Sequence, residues 1–152
     1  MSRARPTEAA QSGAREREGT ASGARILQPD GWAKPSGYAN GVSASGRLVF
    51  VAGQIGWNAN AQFESDDLVA QVAQALRNVV AVLAVDGAGP DHIARMTWYV
   101  TSRAEYLARA KEIGAVYREI VGRNFPAMTA VEVSALIEAR AKVEIEVTAV
   151  VP

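Results

Sequence analysis

The chain of 152 residues is 49% hydrophobic and 21% charged, which is the composition of one globular domain rather than of a disordered protein. Lysine plus arginine equals aspartate plus glutamate at 16 each, so no overall field draws the protein to nucleic acid or to anionic lipid. The chain has no cysteine and a single histidine, which excludes disulfides, thiolate nucleophiles and the usual zinc sites, and we expect neither a metal nor a cofactor.

The first 24 residues contain almost nothing that could be buried, because they are mainly Ala, Gly, Ser, Arg and Glu. Ordering such a segment costs backbone entropy that no burial of apolar surface would offset. We therefore predict a disordered tail at residues 1 to 24 and one domain at residues 25 to 152. The tail lacks the apolar centre of a secretory signal, and no apolar run approaches the ~20 residues that span a bilayer. We therefore expect a cytoplasmic protein with no membrane partner.

The first regular patterns predict a strand and then a helix. The segment GRLVFVAGQIG, residues 46 to 56, is a short apolar run between glycines, as in a buried strand. The next segment repeats apolar residues at the spacing of one helix face, with Asp66 and Asp67 at its start and Gly87, Gly89 and Pro90 at its end. The apolar positions of this helix are Leu68, Val72, Leu76, Val79, Val80 and Leu83.

The second half of the chain predicts another strand and helix, followed by two strands. HIARMTWYVTS alternates with the two-residue period of a strand, and AEYLARAKEIGAVYREIVG carries one apolar stripe at helical spacing. This stripe consists of Leu107, Ala110, Ile113, Tyr117 and Ile120. Strands at about 127 to 136 and 142 to 151 complete an α+β domain, in which we expect one mixed sheet of five or six strands with two helices packed on one face.

The last strand predicts a mixed character for the other face of the sheet. Its odd-numbered residues from 143 to 151 are apolar and should meet the helices, whereas Glu144, Glu146, Thr148 and Val150 point the other way. Subunits packed face to face could bury the apolar part of such a face and hydrogen-bond the rest, so we predict a homo-oligomer. From spacing alone, the two glutamates fit an exposed strand face without chemistry better than a reactive site.

Four segments carry a family resemblance. They are GYANGV at 37 to 42, VAGQIG at 51 to 56, FPAMTAVEVSAL at 125 to 136 and KVEIEVTAV at 142 to 150. Together they resemble the site tyrosine turn, the Gly-Gln-Ile strand end, the Phe-Pro-Ala-Arg-Ser segment and the closing strand of the RidA family, also called YjgF/YER057c/UK114 and once labelled endoribonuclease L-PSP. The resemblance implies a homotrimer that binds small molecules in clefts between subunits.

The resemblance also implies an activity, because deaminases of this family hydrolyse reactive enamines and imines to a carbonyl compound and ammonia. It implies that Glu144 is the catalytic residue, positioning the attacking water. Tyr38 would line the cleft, and the backbone near Gly53 and Ala130 would hydrogen-bond the substrate. Glu146 is expected to contact solvent or another subunit.

Met128 is the main departure from the family pattern, because deaminases of the family have there an arginine that binds the substrate carboxylate in a bidentate fork. Losing that pair should weaken binding of a carboxylate by on the order of 10²-fold, so we predict an altered substrate specificity. Ala52 and Gly114 also replace polar family residues, which makes the predicted cleft less polar. Trp57 is a candidate aromatic wall of the cleft, although packing within a loop is the commoner role.

Two alternatives to a deaminase stay open. The absence of the family arginine at Met128 favours a non-catalytic small-molecule-binding or regulatory trimer. An endoribonuclease or translation inhibitor, as in the old family label, is weaker, because the charge is balanced and nucleic acid is an unlikely partner. Arg140 could replace the missing charge and His92 could act as a base, but both are expected to be turn residues.

Overall fold

A computed structural model describes residues 23 to 152 of the chain. The strands are β1 (Arg25–Leu27), β2 (Gly41–Ser43), β3 (Arg47–Ile55), β4 (Ile93–Val100), β5 (Ala127–Glu132) and β6 (Val143–Val151), and the helices are α1 (Leu68–Val85), α2 (Arg103–Ala108) and α3 (Ala110–Ile120). A short 3₁₀ turn at Pro90–His92 precedes β4. The predicted tail lies outside the described residues except for its last two, so the tail and the domain boundary stay predictions.

The strands form one mixed sheet and one small hairpin. The main sheet has the order β3-β6-β4-β5, and β1 pairs with β2 in a separate antiparallel sheet. β4 and β5 are parallel neighbours because the chain crosses over through α2 and α3 between them, whereas β6 is antiparallel to both β3 and β4. The predicted α+β fold with five or six strands is therefore confirmed, although the six strands form a sheet of four and a separate pair rather than one sheet.

Helix α1 begins and ends where its sequence predicts. The Asp67 carboxylate caps it by accepting the backbone N–H of Ala70 at 2.9 Å, which satisfies one of the free donors of the first turn. At the other end Gly87 has φ +69° and donates its N–H to the carbonyl oxygen of Ala84 at 3.1 Å. The stripe that packs on the sheet comprises Leu68, Val72, Ala75, Leu76, Val79 and Leu83, all nearly or fully buried.

By length and composition alone, α1 is long and apolar enough to cross a membrane, with 18 residues. From the sequence, we expected no apolar run to approach that length. Its apolar stripe nevertheless has a partner in the described fold, because Val72, Leu76 and Val79 are fully buried against the sheet. Polar side chains interrupt the rest of its surface, including Arg77 and Asn78. We therefore assign α1 to the core of this domain.

The second predicted helix is divided in two. α2 ends at Ala108 and α3 begins at Ala110, with Arg109 between them at φ −106° and ψ 11°. Leu107 lies before this break and is 52% exposed, so the continuous apolar stripe predicted across it was wrong, while Ile113 and Tyr117 are buried as expected. Arg109 pairs with Glu112 of α3 and with Asp67, the capping residue before α1, at 2.6 and 2.8 Å, and so joins the start of both helices.

The two faces of the main sheet differ as the sequence of β6 predicts, with one face apolar and the other mixed. Val143, Ile145, Val147 and Ala149 are buried with the helices in one core, together with Met96, Trp98 and Val100 of β4. On the opposite face, Leu48 is 56% exposed and Phe50 is 71% exposed. We call this the uncovered face; its members include Leu48, Phe50, Arg95, Thr97, Tyr99, Thr129, Val131, Glu144, Glu146 and Thr148.

Candidate functional site

The strand register divides the predicted site residues between the two faces of the sheet. Met96 pairs with Met128 and Trp98 pairs with Ala130, and both β4 residues are buried on the helix side. Tyr99 pairs with Glu144, one position further along β4 and therefore on the uncovered face. Met128 and Ala130 thus lie on the face opposite to Glu144, so one protomer does not bring them into a common site.

On the helix side, a cleft of about 720 Å³ lies between α3, β5 and the loop before β2. Three of the predicted residues, Tyr38, Met128 and Ala130, line it. The other walls are largely aromatic: Trp98, Tyr106, Tyr117 and Phe125. A concave, mainly apolar cavity of this size is typical of small-molecule sites.

The aromatic walls are held in fixed positions by their mutual contacts. Tyr117 stacks on Phe125 with ring centroids 6.0 Å apart, and Tyr106 meets Trp98 edge to face at 6.4 Å. The Tyr117 hydroxyl donates to the carbonyl oxygen of Asn124 at 2.6 Å. Burial raises the pKa of both Tyr106 and Tyr117, so the two phenols stay protonated and uncharged at neutral pH.

Trp98 contributes an unsatisfied donor to the cleft wall. Its side chain is fully buried, and its Nε1–H has no hydrogen-bond partner among residues 23 to 152. Buried donors without a partner are uncommon because leaving one unpaired costs about 1–3 kcal/mol. Because the Nε1 atom has almost no exposed surface, this unpaired donor lies within the wall of the cleft rather than at its surface.

On the uncovered face, Glu144 lies directly against the backbone of Gly53. A Cβ atom at position 53 would lie 2.7 Å from Cδ and 2.8 Å from Cγ of Glu144, closer than real contacts allow. The pairing of β3 with β6 shifts register between Val51 and Gln54, which places this irregular stretch of β3 beside the half-buried carboxylate. Only a glycine can bring the strand backbone this near to the Glu144 side chain.

Glu146 has a partner within the protomer. The Tyr99 hydroxyl donates to its Oε1 at 3.0 Å, and this hydrogen bond to the carboxylate is the main reason that the pKa of Tyr99 is raised. Glu146 also borders a shallow depression with Phe50, Arg95 and Thr97. The Thr97 hydroxyl is buried and unpartnered among the described residues.

Three further candidates lie away from the cleft. Trp57 does not line it but packs on Phe63, with ring centroids 6.1 Å apart, so its predicted ligand contact stays a prediction. Arg140 pairs with Asp66 at 2.9 Å and lies over the Phe63 ring, so it does not supply the missing charge. His92 accepts the backbone N–H of Gly89 through Nδ1 at 2.9 Å, as expected for a turn residue.

Among the described residues that line the cleft is one cation that the sequence did not single out. Arg118 lines it from α3, four residues after Gly114, which lines it as well. Tyr106, Tyr117 and Phe125 were likewise not predicted as cleft residues. Tyr117 belongs to an apolar stripe at helical spacing, which indicates core. In residues 23 to 152, no group of three or more His, Asp or Glu side chains has the arrangement of metal ligands.

Comparison with known proteins gives the family. The family model described as Endoribonuclease L-PSP matches residues 32–151. Protein DfrA of Myxococcus xanthus is 34% identical over 111 residues, covering 70% of this chain and 78% of DfrA. A RutC family protein of Pyrococcus horikoshii is 30% identical over 104 residues, covering 68% of this chain and 79% of the relative.

Solved structures agree with this assignment. YyfB of Yersinia pestis, a protein of unknown function of the conserved Rid protein family, superposes with a TM-score of 0.73 at 36% identity and covers 84% of this chain and 98% of its own. Rv2704 of Mycobacterium tuberculosis, a member of the YjgF/YER057c/UK114 family, gives a TM-score of 0.57 at 36% identity over 76% of this chain and 87% of its own. The chain therefore belongs to the Rid family, also known as YjgF/YER057c/UK114.

Proposed function

We propose that this protein is an imine or enamine deaminase of the Rid family, with Glu144 as its catalytic carboxylate and altered substrate specificity at Met128. The observation that carries the proposal is the contact between Glu144 and Gly53. It exposes strand backbone beside a half-buried carboxylate at the positions where the family resemblance predicts a water-holding glutamate. A carboxylate held close to strand backbone can orient a water molecule beside a polar substrate.

The reaction requires little from the protein because an imine carbon is already electrophilic. Glu144 accepts a proton from water while the water oxygen bonds to the imine carbon, and the nitrogen takes up a proton. The resulting carbinolamine then breaks its C–N bond, forms the C=O bond and releases ammonia. In sum, an imine and one water give a carbonyl compound and ammonia, and an enamine enters the same sequence after tautomerising to the imine.

The division of residues between two faces supports a site that is completed by a second subunit. Within one protomer the sheet separates Glu144 from Met128 and Ala130. The uncovered face carries exposed apolar side chains, including Phe50 and Val131, that a neighbouring subunit would bury. We therefore propose the homotrimer that the family resemblance implies, with the ligand between the cleft of one subunit and the uncovered face of another.

The test is ammonia release from freshly generated imines, comparing wild type with Glu144→Gln. The amide keeps the size of the side chain but cannot accept a proton, so turnover should fall by about 10²–10⁴-fold with the assembly intact. Glu146→Gln is the matched control, because Glu146 lies on the same strand face and already bonds Tyr99. Equal activity of wild type and Glu144→Gln would refute the assigned role.

A non-catalytic small-molecule binder is the second candidate, and Met128 favours it. Without an arginine on β5, the cleft keeps its aromatic walls but not the family's carboxylate fork. A binder would show ligand affinity in calorimetry and no ammonia release from charged or uncharged imines. The endoribonuclease activity in the description of the family model gains no support from the cleft, since aromatic walls with one cation among its described lining residues suit a small molecule better than a polyanion.

A further inference from the structure

We propose that Arg118 is the anion-binding residue of the cleft, so that the ligand is a carboxylate carried on an apolar or aromatic body and held from α3 rather than from β5. The inference rests on the proposed function only in taking the cleft as a substrate site. The inferred substrate class is a carboxylate, which the presence of methionine at position 128 would by itself exclude.

Arg118 lies close to Gly114 on α3. The two residues are four apart on α3, so they share one face of the helix, and a long side chain there points back toward the N-terminal turn. Nη1 of Arg118 lies 3.4 Å from the position that a Cβ of Gly114 would take. The guanidinium therefore lies over the bare backbone of Gly114, where both residues line the cleft.

The charge of Arg118 is available to a ligand. Among residues 23 to 152, its guanidinium makes no hydrogen bond or ion pair, whereas Arg47, Arg109 and Arg140 each pair with a carboxylate. No Asp or Glu is among the described residues that line the cleft, so no internal anion competes for Arg118. A planar guanidinium with free donors is well suited to a carboxylate, which it binds in a bidentate fork.

The other walls define the rest of the ligand. Trp98, Tyr106, Tyr117 and Phe125 offer flat apolar surfaces. Met128 adds a flexible apolar side chain in the place of a cation. A compound with an aromatic or branched apolar side chain and one carboxylate would contact these walls and Arg118 together, as the imine of an apolar amino acid does.

Arg118 also has a simpler structural role that an experiment must separate. It lies in the last turn of α3, where a cation is favourable next to the negative end of the helix dipole. Arg118→Lys keeps this charge but loses the planar fork, whereas Arg118→Gln loses both. Arg77→Gln, an exposed arginine on α1 outside the cleft, is the matched control for loss of one surface charge.

The experiment is calorimetric titration of the full chain with phenylpyruvate, the keto acid that an aromatic amino acid imine would release, and with its uncharged methyl ester. We expect Arg118→Gln to weaken phenylpyruvate binding by about tenfold or more, Arg118→Lys to weaken it by less, and neither to change ester binding. Arg77→Gln should match wild type. Unchanged phenylpyruvate affinity in Arg118→Gln, equal loss of acid and ester, or no binding of either by wild type would each overturn the inference.

Calorimetry measures binding and not turnover, so it tests the anion site independently of the proposed deaminase activity. Arg118-dependent binding of the acid in a protein that releases no ammonia would support the anion site and refute the deaminase. Normal ammonia release from the phenylalanine imine in Arg118→Gln would refute the anion site and leave the deaminase standing.

Discussion

The backbone of Gly53 on β3 lies against the carboxyl group of Glu144 on β6, so that a single added methyl group at position 53 would lie 2.7 Å from the carboxyl carbon. This contact makes Gly53→Ala a test of how Glu144 is positioned. The added Cβ must displace the carboxylate, so we expect loss of ammonia release and destabilisation by about 1–3 kcal/mol in urea unfolding.

A double-mutant cycle isolates the contact. Glu144→Ala removes the group with which the new methyl would collide, so Gly53→Ala should cost clearly less stability in the Glu144→Ala background than in wild type. The same cost in both backgrounds would mean that the strain comes from the β3 backbone and not from Glu144.

The uncovered face should hold the subunits together. Phe50 is 71% exposed on this face, and a charge there would be buried without a partner in any face-to-face assembly. We expect Phe50→Glu to reduce the mass measured by light scattering from that of a trimer to that of a monomer. Val85→Glu, at a 90% exposed apolar position at the end of α1, should leave the mass unchanged.

Loss of ammonia release should accompany this dissociation, because Glu144 and the cleft lie on opposite sides of one protomer's sheet. A monomeric Phe50→Glu variant with full activity would contradict the proposal that the site is shared between subunits.

The ion pair between Asp67 and Arg109 predicts a pH dependence of stability. The hydrogen bond from Arg109, followed by that from the Ala70 N–H, lowers the pKa of Asp67 below its usual 3.8. The folded state therefore binds fewer protons than the unfolded state, and the stabilisation is complete above about pH 4 and lost as pH falls through the lowered pKa. Asp67→Asn keeps a capping acceptor but cannot titrate, so its difference from wild type should shrink at low pH.

Asp67→Ala is the second variant of this test, because it removes the cap as well. It should cost about 1 kcal/mol in urea unfolding at neutral pH relative to Asp67→Asn, and this difference should persist at low pH. A stability difference between wild type and Asp67→Asn that stays constant from pH 7 to about pH 2 would show that the pair with Arg109 contributes nothing.

The sequence predicts best those strands and helices in which apolar residues repeat at a regular spacing. The alternation of β6 identifies Val143 and Ile145 as core and Glu144 as outward-facing, and each is found so. The break at Arg109 is not predictable in this way, because the local pattern is continuously helical. Arg109 is held by Asp67, which is distant in sequence.

The aromatic cleft could not be predicted from the sequence, for a related physical reason. Tyr117 packs on the sheet and also lines a cavity, and an apolar stripe has the same spacing in either role. Arg118 reads as an ordinary exposed charge near a helix end. Only the geometry over Gly114 shows that its guanidinium borders the cleft.

Met128→Arg should restore the family's means of binding a carboxylate. Met128 is half-buried and lines the cleft, so an arginine stem can follow the apolar wall while its guanidinium reaches the cavity. In the Arg118→Gln background, we expect this change to raise phenylpyruvate affinity about tenfold or more, as measured by calorimetry, whereas Met128→Leu changes nothing. Failure of Met128→Arg to rescue binding would contradict this prediction, because it would show that an arginine on β5 does not reach a carboxylate held from α3.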